Sequence, residues 1–76
     1  MLENEIKAII AKELEIKVEE IHNNDEFIET LCADSLDMVE LAMKLEERYN
    51  ISVPDEDLKN LITVNDIIKY VEMKTQ

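Results

Sequence analysis

Apolar residues recur at helical spacing in three stretches of the chain. Leu2, Ile6, Ile9, Ile10 and Leu14, with Glu3, Glu5, Lys7, Lys12 and Glu13 between them, predict an amphipathic helix over 2–15. Met38, Leu41, Ala42, Leu45 and Tyr49 fall on one face at about 100° per residue and predict a second helix over 35–50. Asp34 is placed to cap it, and Asp37 lies in the first turn, where a negative charge suits the helix dipole. Tyr49-Asn50 gives it a stop. Val64, Ile67, Ile68 and Val71 mark a last helix, with Thr63 as cap and Asp66 at the capping-box position.

Between these helices the period is lost. Residues 16–33 scatter Ile16, Val18, Ile21, Phe27, Ile28 and Leu31 among polar residues, with Asn23-Asn24-Asp25 as a turn signal. Connections beyond about 12–15 residues are uncommon unless functional or packed by their own side chains, so these apolar residues predict a segment pinned to the core. Ile51 to Pro54 reads as extended, because residues before proline avoid the α region, and 55–61 as a short helix opening with three acids. Phe27, Ile28, Met38, Leu45, Val53, Leu58, Leu61 and Tyr70 are core candidates.

With 76 residues there is room for one small domain, 1–76, with a thin core. Nineteen acidic residues against eight basic give a net charge of −11. Nucleic acid and anionic membrane surfaces both need a basic face, so neither is an expected partner; partners should be basic. The acid is polarised. Residues 1–33 carry nine acids and three bases, residues 34–58 eight and two, and residues 59–76 two and three. Glycine is absent, which excludes a P-loop, a Rossmann fingerprint and an EF-hand loop. One cysteine and one histidine cannot make an internal disulfide or a structural zinc site, and no metal site is expected. No apolar run reaches the roughly 18 residues of a membrane span and no signal peptide is visible, so a reducing cytosol or organelle matrix is expected, with a cytoplasmic location favoured. A monomer is also expected.

The second helix carries a further apolar strip. Leu36, Val39 and Met43 fall away from its core face, with Glu40, Glu46 and Glu47 among or beside them. Such a strip rimmed by carboxylates suits a partner with an apolar patch rimmed by Lys and Arg. Ser35 stands at the head of this helix, flanked by Asp34 and Asp37. Taken alone it reads as a capping serine. It is no catalytic nucleophile, since the nearest possible base, His22, is thirteen residues away in an irregular segment. A serine without a base can still accept a group delivered by another enzyme.

The segment Leu31-Cys32-Ala33-Asp34-Ser35-Leu36-Asp37, followed by Val39-Glu40-Leu41, resembles the signature of acyl carrier proteins. Leu45-Glu46-Glu47, Ile51-Ser52-Val53-Pro54-Asp55-Glu56-Asp57 and Ile62-Thr63-Val64 extend the resemblance over essentially the whole chain. It implies an all-α four-helix bundle with one short helix and a long connection between the first two main helices. It further implies that Ser35 carries a 4′-phosphopantetheine arm, moved from coenzyme A by a phosphopantetheinyl transferase, whose terminal thiol holds acyl groups as thioesters. Asp34, Leu36, Asp37, Val39, Glu40, Met43, Glu46 and Glu47 would form the docking surface for fatty-acid-synthesis enzymes with basic patches. The chain would be a carrier and not an enzyme. A carrier of polyketide, aminoacyl or D-alanyl groups is the alternative within the family. Outside it stands a non-covalent acidic adaptor in which Ser35 is only a cap. One position departs from the family: glycine is usual three residues before the serine, where this chain has Cys32. A positive φ there would strain cysteine. The expectation is a small, partly buried residue without that strain.

Overall fold

The computed structural model describes residues 2–76, and Met1 lies outside that range. The elements are α1 (Leu2–Leu14), a 3-10 turn (Val18–Glu20), α2 (Ser35–Tyr49), α3 (Asp55–Leu58) and α4 (Val64–Thr75). No strand occurs among the described residues beyond one isolated bridge between Glu26 and Thr63. The architecture is the four-helix bundle with one short helix. α1 packs chiefly on α2 and also on α4, and α2 also meets α3 and α4. Ile6, Ile10, Phe27, Leu41, Leu45, Val64, Ile67 and Val71 form the fully buried centre.

Each long helix ends where local chemistry dictates. At the head of α2 the Asp34 side chain accepts from the Asp37 N–H at 2.8 Å, and the Asp37 carboxylate accepts from the Asp34 N–H at 3.1 Å. Thr63 and Asp66 make the same reciprocal pair at α4, both at 3.1 Å. A cap of this kind contributes about 1 kcal/mol. At their ends α1 and α2 turn left-handed at Glu15 (φ 57°) and Asn50 (φ 56°). The following N–H reaches back in each case, Ile16 to the Ala11 carbonyl at 3.0 Å and Ile51 to the Glu46 carbonyl at 3.3 Å. Glycine usually serves at such a stop. Asparagine tolerates the conformation well, whereas glutamate holds it against steric resistance of about 1–2 kcal/mol.

The long connection is pinned, as its apolar residues predict. Ile21, Phe27 and Ala33 are buried anchors along it. Its backbone also bonds to the segment entering α4: Phe27 N–H to the Ile62 carbonyl at 3.0 Å, Val64 N–H to Asp25 at 3.0 Å and Asn65 N–H to Asn23 at 2.8 Å. Ala33 N–H closes the last turn onto the Phe27 carbonyl at 2.8 Å. These bonds deliver the chain to Asp34 at a fixed place, which locates the start of α2.

Two expectations are corrected. Ile28 is not core; it is 55% exposed, because Phe27 fills the interior and its neighbour in an irregular turn faces out. The short helix stops at Leu58 rather than 61. Asn60 N–H bonds to the Asp57 carbonyl and Leu61 N–H to Leu58, both at 3.0 Å, and this tightened turn brings Leu61 into the core. Leu58 and Tyr70 are half-buried against the core, while Met38, Leu45 and Val53 are buried as expected.

Candidate functional site

Ser35 is the first residue of α2 and is exposed. The cap is Asp34, one residue earlier, as its position predicts, and Ser35 is not the capping residue. Among the described residues no hydrogen bond engages the Ser35 hydroxyl. The two flanking carboxylates are occupied with each other's backbone N–H groups, which fixes the turn and leaves the serine oxygen free. His22 offers it no base. It is exposed in the connection, where its backbone N–H donates to the Asp25 carboxylate at 2.9 Å and its ring Nδ1 lies 3.6 Å from it.

Ser35 lies on the wall of an apolar groove of about 360 Å³ between the connection, α2 and α3. Phe27, Met38 and Leu61 form its buried side, and Ile28, Val39, Leu58 and Ile62 its outer wall. Asp55 and Lys59 are the charged members. Ile62 and Lys59 were not singled out from the sequence. A signal for Ile62 was present: in a non-helical segment only one of the adjacent pair Leu61 and Ile62 can face inward, and Leu61 does.

The outer strip of α2 is open. Leu36 is 66%, Val39 44% and Met43 56% exposed. Glu40 and Glu47 are exposed on the same outer side, and Asp34 and Asp37 stand at its head. The strip divides toward its edges. Val39 faces the serine groove, whereas Glu47 borders a separate recess toward α1 with Ile9, Lys12, Lys44 and Arg48. Glu46 differs from the other acids. It is half-buried, and its carboxylate accepts from the Val53 N–H at 2.8 Å, tying the extended segment before α3 back to α2.

α3 is the groove's far wall, and polar contacts hold it. The Tyr70 hydroxyl on α4 lies 2.7 Å from the Asp57 carboxylate and 3.3 Å from the Ser52 carbonyl, with Asp57 the closer acceptor. Burial, together with the hydrogen bond and the negative charge of Asp57, pushes the Tyr70 phenol up to about 12. On the opposite side of the bundle, Tyr49 and Arg48 both reach Glu5 of α1, at 3.0 and 3.3 Å. Partial burial, then the Glu5 contact, raises the Tyr49 phenol.

Cys32 also departs from expectation. Its φ is 59°, in the left-handed region, and its side chain is exposed. The turn between the Phe27 anchor and the Asp34 cap needs a residue that reverses the backbone hand, and the side chain is thereby directed outward. Cysteine carries the steric resistance that glycine avoids.

Comparison with known proteins agrees with this geometry. A family described as a phosphopantetheine attachment site matches residues 4–71. The acyl carrier protein of Wolinella succinogenes is 44% identical over 69 residues, covering 91% of both chains. That of Helicobacter pylori is 44% identical over 68 residues, covering 90% of this chain and 87% of its own. That of Buchnera aphidicola is 49% identical over 75 residues, covering 99% and 95%. An exposed serine on a fixed helix start, beside an apolar groove, accords with a match over nearly the full length: the chain belongs to the phosphopantetheine-binding family of acyl carrier proteins.

Proposed function

We propose that Ser35 carries the phosphopantetheine arm and that the chain presents acyl intermediates to the enzymes of fatty acid synthesis. The observation that supports this most is the serine hydroxyl left free by the Asp34 cap at the edge of the apolar groove. The residues fit such a group. A phosphodiester on Ser35 Oγ would begin in solvent at the positive end of α2, and an apolar chain has a groove of about 360 Å³ beside it. When bound, the arm supplies a terminal thiol that holds acyl groups as thioesters.

The chain's own residues bind and orient. Asp34 and Asp37 hold the turn at Ser35, and a transferase must bring the base that the serine lacks. Leu36, Val39 and Met43 offer apolar contact, and Asp34, Asp37, Glu40 and Glu47 the complementary charge. Glu46 belongs to that surface through its charge while its carboxylate holds Val53. Surface charge of this kind raises the association rate more than the affinity, which suits a carrier that must leave one enzyme for the next. A tether also keeps the cargo at millimolar effective concentration near a docked active site. The chemistry on the cargo belongs to the docked enzymes, in the cytoplasm on this reading. No helix among the described residues is long and apolar enough to cross a membrane.

The test is to load the chain and supply fatty-acid-synthesis enzymes with acyl and malonyl donors, following the acyl mass on the protein. Chain extension on the native protein, weakened by Glu40→Lys with Met43→Ala and by raised salt, supports both cargo and docking face. Loading without extension by these enzymes, but with transfer of aminoacyl, D-alanyl or polyketide units, would move the chain to the alternative carrier class. Failure to load on a folded chain would leave the non-covalent adaptor.

A further inference from the structure

We propose that Lys59 is a positioning residue for the arm, its ammonium pairing with the phosphodiester on Ser35. The inference rests on the reading of Ser35 as the attachment site. Among the described residues, Lys59 is the only base lining the groove that Ser35 borders. It is exposed, and among the described residues it takes part in no ion pair, although Asp55 and Glu56 precede it at helical spacing. Its backbone is fixed, because its N–H donates to the Asp55 carbonyl at the end of α3 and α3 is tied to α4 through Asp57 and Tyr70.

Such a cation would offset the charge that the arm adds. A phosphodiester adds a negative charge between Asp34 and Asp37 on a chain already at −11. The start of α2 offers less than a free helix terminus would, since the Asp37 N–H is already given to Asp34. Lys59 faces the same groove from its far wall and can offset the added charge. Asp55 shares that wall and would oppose it, so the pairing depends on the lysine itself and not on a generally positive surface. A pair across the groove would lay the root of the arm over Val39 and Ile62 and leave it less free to sweep the outer strip of α2.

The test compares native, Lys59→Gln and Lys59→Arg proteins before and after loading from coenzyme A, with loading verified by intact mass. Any role of Lys59 in α3 alone affects both states equally and cancels in the difference. The expected result is that loading depresses the melting temperature by roughly 1–5 °C more in Lys59→Gln than in the native chain, with Lys59→Arg restored. The ³¹P resonance of the loaded protein should shift in Lys59→Gln, and that difference should collapse near 1 M salt. Superimposable ³¹P lines and equal loading shifts in all three proteins overturn the role of Lys59 and leave the carrier reading standing. Absence of loading on the folded native chain overturns both.

Discussion

The two sides of α2 carry the same kinds of residue and do opposite work. Leu41 and Leu45 are 1% and 2% exposed, locked among α1 and the other helices. Leu36 and Met43, on the opposite face of the same helix, are open to solvent. The inner side stabilises the fold through burial, at about 25 cal/mol per Å² of apolar surface. The outer side contributes almost nothing to folding and leaves its apolar surface open to solvent. Amphipathicity alone does not separate the two. What separates them is the border between them: Ser35 with its groove on the α3 side, and carboxylates along the outer rim.

That contrast breaks most visibly under truncation. Leu45→Ala should destabilise by about 2–5 kcal/mol, because it opens a cavity in the centre of the bundle. Leu36→Ala should change stability by under about 0.5 kcal/mol while weakening association with a basic partner. Urea unfolding of the two variants beside a binding assay checks this. Equal losses of stability would mean that the outer strip is part of the core. Asp34→Ala comes next and should cost about 1 kcal/mol by removing the α2 cap. An unchanged denaturation midpoint would contradict the reciprocal Asp34–Asp37 bonding. Cys32→Gly should stabilise by up to about 1 kcal/mol, since glycine adopts the left-handed backbone without resistance and loses only part of that gain to chain entropy. A lowered melting temperature would show that the exposed thiol side chain contributes packing.

A pH-dependent effect concerns the far wall of the groove. The Tyr70 phenol ionises in the folded chain at about 12 against an ordinary value of 10.0. Between those values the unfolded chain has lost the phenol proton that the folded chain retains, so stability falls as pH rises from 10 toward 12. Below pH 10 the contribution is fully present. Tyr70→Phe should therefore lose about 0.5–1.5 kcal/mol at neutral pH and show a shallower decline across that alkaline window. Stability curves for the two proteins that stay parallel between pH 10 and 12 would contradict the Tyr70–Asp57 tie.

Much of this was legible in the residues. The three long helices, the Asp34 and Thr63 caps, the Asn50 stop and the pinned connection followed from spacing and cap chemistry. So did the two faces of α2, because a helix fixes the direction of each side chain once its period is known. Errors fell where no period exists. Ile28 looked like core because it is large and apolar, yet in an irregular turn the Phe27 anchor decides which neighbour faces in. Cys32 looked like a small unstrained residue, yet joining a buried anchor to a capped helix start forces a left-handed step there. Glu46 was legible as surface charge but not as the acceptor for Val53, since that bond depends on how the segment 51–54 folds back over α2. The groove beside Ser35 could not be read as a shape, because its walls come from three separate parts of the chain. Its serine was marked by the surrounding motif rather than by any local period.

The carrier role proposed for this chain turns on Ser35 as the point of attachment. Its most direct test is intact mass after incubation with coenzyme A, Mg²⁺ and a broad-specificity phosphopantetheinyl transferase, run beside Ser35→Ala. The native chain should gain one phosphopantetheine and the variant none. A folded native chain that gains no mass, or a Ser35→Ala chain that gains the same mass, would contradict it.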